Sequence, residues 1–131
     1  MSKTILARAW GAALLGLALT TAGRADVKDY EFQLVQSELK QGDAMLDVRL
    51  VDKRTRKPVP DAVIFARRID MAPDGMETMT SIIEPAPPPE PGTYRFNVKL
   101  TMTGQWRLSL AAKVQGETGT LESRLVFRAL K

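Results

Sequence analysis

The sequence contains no cysteine and no histidine. Their absence removes the thiolate and imidazole groups that often serve as nucleophiles, as bases and as zinc ligands. It also removes the disulfides that stabilise many small exported domains, so this chain must rely on apolar burial. No glycine-rich phosphate loop, Gly-x-Ser-x-Gly motif or spaced carboxylate cluster takes their place. We therefore expect no enzymatic activity and no catalytic residues.

The chain also lacks an apolar run as long as an ordinary transmembrane helix, which needs about 20 residues. A short run at residues 9–19 follows Lys3 and Arg8 and precedes a stretch of small residues. This order is typical of a secretory signal peptide. We expect residues 1–25 to be removed on export, leaving one periplasmic or secreted domain of residues 26–131 without a stable membrane anchor. An uncleaved anchor is the alternative.

A large excess of positive charge is missing once the signal peptide is set aside. The whole sequence carries 19 basic and 15 acidic residues. Three of the basic residues, Lys3, Arg8 and Arg24, precede the expected cleavage site, and no acidic residue does. The remaining domain has 16 basic and 15 acidic residues, a net charge of +1. A nucleic-acid partner is therefore not expected.

Alternation of apolar and polar residues is the main pattern of the expected domain. Period-two alternation between turn residues is typical of strands with one buried face, and no segment shows a helical period. The pattern predicts an all-β fold, an immunoglobulin-like antiparallel β-sandwich. About seven strands are expected, at Tyr30–Ser37, Ala44–Asp52, Asp61–Arg68, Met76–Glu84, Thr93–Leu100, Gln105–Val114 and Thr120–Arg128.

The fifth and sixth predicted strands have the clearest alternation. Tyr94, Phe96, Val98 and Leu100 share one face of the fifth strand and are expected to point into the core. Trp106 belongs to the inward set of the sixth strand. We interpret Trp106 as a core anchor, and a ligand-stacking role is the alternative.

The methionines of the expected domain fall near one end of the predicted sandwich. If the strands run alternately up and down, the connections after the first, third and fifth strands share an end. Five methionines follow or flank these connections: Met45, Met71, Met76, Met79 and Met102. Methionine often fills irregular gaps in a core, and this explains Met45 and Met102 better than Met71 and Met76. Core filling and a ligand cluster both remain open as interpretations.

A cluster of thioethers would have a defined metal preference. Thioethers are soft, neutral ligands that select Cu(I), or its analogue Ag(I), over hard cations. They need no deprotonation, so they keep their ligand character outside the cytoplasm, where cysteine tends to form disulfides. The composition therefore favours a Cu(I) site over a zinc site.

Residues 45–114 contain the segments KPVPDAVIFARRIDM, GMETM and PGTYRFNVKLTMTGQWRLSLAAKV. Together they resemble the YtkA-like/FixH family, in which a Pro-Val turn precedes a strand and a methionine segment, followed by Gly-x-Tyr and Gly-x-Trp strands. The resemblance implies an extracytoplasmic immunoglobulin-like domain associated with copper handling, including cytochrome oxidase assembly and metal efflux. It places Met71, Met76 and Met79 in the methionine segment and Met102 before Gly-x-Trp.

Two functions are consistent with these residues. The first is a copper-handling protein that delivers Cu(I) to a protein partner in trafficking, efflux or oxidase assembly, or sequesters it. Its expected metal ligands are Met71, Met76, Met79 and Met102. The second is a metal-free interaction module that uses a deformable methionine patch, since flexible methionine surfaces adapt to partners. A metal site requires the sulfurs to converge, whereas a patch requires only that they lie exposed together.

Overall fold

The computed structural model describes residues 26–131 of the chain. The expected signal peptide, residues 1–25, lies outside the described residues. In the part of the chain that the structure covers, no helix has the length and hydropathy needed to cross a membrane.

Residues 26–131 form nine β-strands and two short 3-10 turns, at Val27–Asp29 and Ala72–Asp74. The strands are β1 (Tyr30–Leu34), β2 (Glu38–Lys40), β3 (Gly42–Asp52), β4 (Val63–Met71), β5 (Met76–Ser81), β6 (Ile83–Ala86), β7 (Thr93–Leu100), β8 (Gly104–Lys113) and β9 (Leu121–Leu130).

The strands form two sheets that pack face to face, which confirms the predicted immunoglobulin-like all-β sandwich. The four-stranded sheet has the order β1-β3-β7-β6, and the five-stranded sheet has the order β2-β9-β8-β4-β5. Paired strands are antiparallel, apart from the parallel pair of β2 and β9. The start of β3 and the end of β7 meet at one end of the sandwich, where Gly42 pairs with Leu100.

The predicted number of about seven strands was wrong because β2 forms in a segment that was expected to connect the first two strands, and because the fourth predicted strand divides between the sheets. The first ends at Leu34 in the four-stranded sheet, and the chain then forms β2 beside β9 in the other. The fourth ends at Ser81 in the five-stranded sheet, and β6 begins at Ile83 in the other sheet. Ile82, between them, is 60% exposed. A strand that changes sheets at a sandwich corner appears in the sequence as one extended segment.

The core lies between the two inner faces and follows the predicted alternation. Strand β7 has the predicted bounds, and its residues Phe96, Val98 and Leu100 are buried, with Tyr94 half-buried. Trp106 has no exposed surface and belongs to the same apolar cluster. Its interpretation as a core anchor is confirmed.

Tyr94 also fixes the connection between β3 and β4. Its hydroxyl donates to the carbonyl of Val59 at 2.7 Å and accepts from the N–H of Ala62 at 3.1 Å. Burial raises the pKa of Tyr94 above its ordinary value, so the phenol remains protonated and able to donate. The connection is thereby held against the sandwich at the end opposite to the β4–β5 turn.

Candidate metal-binding site

The β4–β5 turn places two of the predicted ligands side by side. Strand β4 ends at Met71, and the 3-10 turn Ala72–Asp74 follows with Pro73 inside it. Gly75 then adopts a φ of 77° and donates its N–H to Ala72 at 2.8 Å, which closes the turn. Glycine suits this left-handed conformation because it has no Cβ. As a result, Met71 and Met76 become partners in the β4–β5 register.

The turn is fastened to the start of β8. The Asp74 carboxylate accepts from the N–H of Gln105 at 2.9 Å. Gly104 has a φ of 132°, and a Cβ at that position would lie 2.9 Å from Met71 Cε and collide with the Asp74 carboxylate. The glycine therefore permits the Met71 side chain and the turn to approach the backbone of β8 closely. This contact brings Met71 near the segment that carries Met102.

The burial of the methionines reverses the sequence-based interpretation of which ones fill the core. Met71 has no exposed surface and lies in the central apolar cluster. Met76 is half-buried and packs against this cluster. Met45 and Met102, which core filling was expected to explain, are 55% and 38% exposed. The expectation was wrong because β4 continues to Met71 with the parity of buried Ile69, whereas β7 stops at Leu100 before it includes Met102.

Met102 lies in the short connection between β7 and β8. Its carbonyl accepts a hydrogen bond from Trp106 Nε1 at 3.1 Å, so the buried indole holds the backbone that presents the thioether. Met79 is on edge strand β5, next to Thr80, the partner of Asp70 on β4. Its side chain is 36% exposed. Met102 and Met79 are therefore the solvent-accessible members of the predicted ligand set.

Met45 lies apart from the four predicted ligands. It is on the outer face of the four-stranded sheet, opposite Asn97 of β7. With Ile82 and Lys99 it lines an open groove of about 470 Å³. Met45 lies near the predicted end of the sandwich, three residues after Gly42 on β3. Its side chain, however, points away from the core.

A buried carboxylate lies directly beside the methionine turn. Asp70 has no exposed surface, and its Oδ2 accepts from Arg68 Nε and from Arg107 Nη2, each at 3.0 Å. Its Oδ1 accepts from the N–H of Ala72 at 2.8 Å. Burial by itself would raise the pKa of Asp70, but the hydrogen bonds from Arg68, Ala72 and Arg107 outweigh it and lower the pKa below its ordinary value.

Arg68 extends this network to the far side of the turn. Its Nη2 donates to the carbonyl of Glu77 at 2.8 Å, so one side chain connects the buried Asp70 with the backbone of β5. The register between β4 and β5 shifts at this point, between Asp70 and Met71. The ion network thus fixes the irregular segment that carries Met76 and Met79.

Asp70 and Gly104, which position the turn, were not predicted from the sequence. Asp70 has a signal in the sequence, since it stands between Ile69 and Met71 and interrupts an apolar segment. Its burial depends on Arg107, which is distant in sequence and becomes its cross-strand partner only in the fold. Gly104 appears in the sequence only as a turn glycine, and its close contact with Met71 is a tertiary feature.

Ordinary zinc or Cu(II) donors are not clustered in this part of the molecule. Among residues 26–131, no group of three or more histidine, cysteine, aspartate or glutamate side chains is placed to hold a metal ion. The donors that the β4–β5 turn offers are thioethers, which match a soft monovalent cation.

Comparisons with known proteins give a family and two structural similarities. A family model described as YtkA-like matches residues 24–111. A search of curated proteins gives no match. The crystal structure of the Lin-41 filamin domain is similar at 16% identity and a TM-score of 0.42, over 72% of this chain and 90% of that one. The ZirS C-terminal domain is similar at 13% identity and a TM-score of 0.46, over 79% of this chain and 67% of that one.

Proposed function

Because the chain belongs to the YtkA-like family, whose model matches residues 24–111, we propose that it is a periplasmic or secreted copper-handling protein. In this proposal Cu(I) is cargo that the protein receives through methionine thioethers at the β4–β5 end of the sandwich. It then delivers the ion to a protein partner or keeps it from one. The observation that carries the proposal is the pairing of Met71 with Met76 beside the segment that presents Met102.

The four thioethers differ in accessibility, which gives them different roles in the proposal. Met102 and Met79 are 38% and 36% exposed and would meet the ion first. Met76 is half-buried and adjoins Met71, which is fully buried. A neutral sulfur at the edge of an apolar core has little competing hydration, so it favours a soft cation over a strongly hydrated one.

The donor chemistry of the turn also supports a preference for the reduced ion. Cu(II) and zinc favour imidazole, thiolate or carboxylate ligands. Two carboxylates at the turn are already engaged, since Asp70 accepts from two arginines and Asp74 accepts from the backbone of Gln105. The proposal therefore includes selectivity for Cu(I) and Ag(I).

The ligand assignment is tested by replacing the half-buried Met76 and the exposed Met102 while keeping their volume. Met76→Leu combined with Met102→Leu removes two sulfurs and should weaken Cu(I) affinity at least tenfold, which corresponds to about 1.4 kcal/mol of binding free energy. Leucine for methionine is a nearly volume-conserving change that costs less than about 1.5 kcal/mol of stability. Affinity is measured by competition with a coloured Cu(I) chelator under reducing conditions.

Met45→Leu is the matched control because Met45 is an exposed methionine outside the candidate site. It should leave Cu(I) affinity unchanged. An equal loss in the control and in the double variant would mean that binding does not depend on the β4–β5 end. Retention of full affinity by the double variant would remove Met76 and Met102 from the ligand set.

A metal-free interaction module is the second candidate, favoured by the exposure of Met79 and Met102 together with the burial of Met71. In that case the buried thioether fills the core, and the two exposed ones supply a deformable surface for a partner. The parent protein would then fail to withhold Cu(I) from the chelator.

A further inference from the structure

The outer face of the five-stranded sheet has an unusual distribution of charge. Outward-facing residues on β2, β4, β8 and β9 alternate with buried ones such as Ile69, Leu108 and Phe127. Six of the outward residues are cationic and three are acidic. The cations are Lys40, Arg68, Arg107, Lys113, Arg124 and Arg128, and the acids are Glu38, Asp70 and Glu122. We call this surface the arginine face, since four of its six cations are arginine.

The charges at the centre of the arginine face are arranged in rows across the strands. Arg68 of β4, Ser109 of β8 and Arg124 of β9 are successive cross-strand partners. Adjacent strands lie about 4.8 Å apart, so the Cα atoms of the two arginines are about 10 Å apart. Along β9, Arg124 and Arg128 are separated by about 13 Å, the length of four extended residues. The distance between Arg124 and Arg128 thus matches the spacing of two carboxylates four residues apart on one side of an extended segment.

Among the described residues, Arg124 and Arg128 are the arginines of this face whose charge is not paired with a carboxylate. Within residues 26–131, no carboxylate lies within 4.0 Å of the Arg124 or Arg128 side-chain nitrogens. Both residues are exposed. Asp70, in contrast, is buried beneath Arg68 and Arg107 and serves both, so that unit keeps a net positive charge. The face therefore presents a positive field although the domain as a whole is nearly neutral.

Apolar side chains are interleaved with the arginines. Val63, Phe65 and Val126 are 55%, 53% and 51% exposed. Phe65 is the extra residue of a β-bulge between Ile64 and Ala66, a position that turns its ring out of the sheet instead of into the core. Between Arg68 and Arg124, the small residues Ser109 and Ala111 form the floor of a depression of about 200 Å³.

We propose that the arginine face is the docking surface for an acidic, extended segment of a partner protein. Arginine together with exposed aromatic and branched apolar residues is the composition of protein–protein contacts. Surfaces for anionic membranes or nucleic acid are marked by clusters of basic residues, whereas three acids accompany the six cations here. Carboxylates four residues apart pair with Arg124 and Arg128, and a side chain between them packs on Val126, which lies between the two arginines on β9. This docking is independent of the proposed metal binding.

The test uses a fluorescein-labelled octaglutamate peptide and measures fluorescence polarisation with the purified protein at low and physiological salt. The parent should bind the peptide, more weakly as salt increases, because exposed charge pairs are screened. The combined change Arg124→Gln and Arg128→Gln should reduce affinity about tenfold, since it removes two exposed charge pairs of up to about 1 kcal/mol each. An uncharged octaglutamine peptide should not bind.

Arg49→Gln combined with Lys99→Gln is the matched control, because it removes the same charge from exposed residues on the outer face of the other sheet. The control variant should bind octaglutamate within about twofold of the parent, well inside the roughly tenfold effect of losing two charge pairs. Equal losses in the two variants would overturn the proposal, as would a parent that does not bind. Tighter binding to vesicles of phosphatidylcholine and phosphatidylglycerol than to the peptide would assign the face to a membrane and also overturn it.

Discussion

Replacing the buried carboxylate beside the methionine turn, by Asp70→Asn, is expected to destabilise the whole domain. Asp70 has no exposed surface and accepts from two guanidiniums and one backbone N–H. An asparagine has a single acceptor oxygen, so if that oxygen keeps the bond to Ala72, its NH2 group faces the guanidinium donors. The variant therefore loses both ionic hydrogen bonds and leaves two cations without a counter-charge.

The size of the effect follows from the exposure of the partners. Removing one member of a buried ion pair costs about 3 to 5 kcal/mol. The Arg68 and Arg107 side chains are 52% and 28% exposed, so water can hydrate part of the charge they leave behind. We therefore expect a loss at the lower end, about 3 kcal/mol. At roughly 4 to 8 °C per kcal/mol for a domain of this size, the melting midpoint should fall by about 12 °C or more.

Equilibrium unfolding in urea, monitored by the fluorescence of the buried Trp106, measures this loss directly. Asp43→Asn is a suitable control because it makes the same chemical change at an exposed position on β3. The control should leave the unfolding midpoint unchanged. A loss of less than about 1 kcal/mol in Asp70→Asn, the ordinary range for a solvent-exposed pair, would refute the assignment of Asp70 as a buried ionic anchor.

The same network predicts acid sensitivity. Because the pKa of Asp70 is lower in the folded protein, the unfolded chain binds a proton at higher pH than the native one. The stabilisation from Asp70 is therefore complete above its unfolded pKa of about 4 and is lost as pH falls through the folded value. The parent should lose more stability than Asp70→Asn between pH 5 and pH 2. Parallel pH profiles for the two proteins would contradict this linkage.

Two further substitutions test the packing around the candidate site. Trp106→Ala should cost about 3 to 5 kcal/mol because it truncates a fully buried aromatic residue, and an unchanged melting midpoint would contradict that burial. Gly104→Ala should destabilise by about 1 to 3 kcal/mol, since the new Cβ would crowd Met71 and Asp74. Gly42→Ala is the control, because Gly42 also has a positive φ but no atom lies within 4 Å of the added carbon. This variant has the backbone strain without the crowding, so it should lose less stability than Gly104→Ala. Equal losses would show that crowding is not the cause.

The sequence predicted the elements whose alternation is regular. Strand β7 has the predicted bounds, and Trp106 is buried as expected, because period two assigns a face to every residue of an uninterrupted strand. The bounds of β4 were less well predicted. That strand was expected to end at Arg68, yet it continues to Met71 because β8 supplies partners as far as Asp70 and Met71 pairs with Met76 on β5.

The sequence predicted that these methionines lie near one end of the sandwich, but it did not predict which of them are buried. The predicted strand order put Met71, Met76 and Met102 at one end of the sandwich. In the structure, the β4–β5 register pairs Met71 with Met76, and the Gly104 contact brings Met71 near the segment that carries Met102. The sequence did not predict that Met71 would be the buried residue and Met102 the exposed one. Strand ends are decided by partners that are remote in sequence, and they determine which side chain the core receives.

A competition titration of the purified parent protein with Cu(I), under reducing conditions and against a coloured Cu(I) chelator, tests the proposed function most directly. We expect the protein to withhold one equivalent of Cu(I) from the chelator and a parallel titration to show no Zn(II) binding, because the β4–β5 end offers thioethers and neither thiolate nor imidazole. If the chelator retains all the Cu(I) at every protein concentration, the methionines do not form a metal site, and the proposed copper-handling function is wrong.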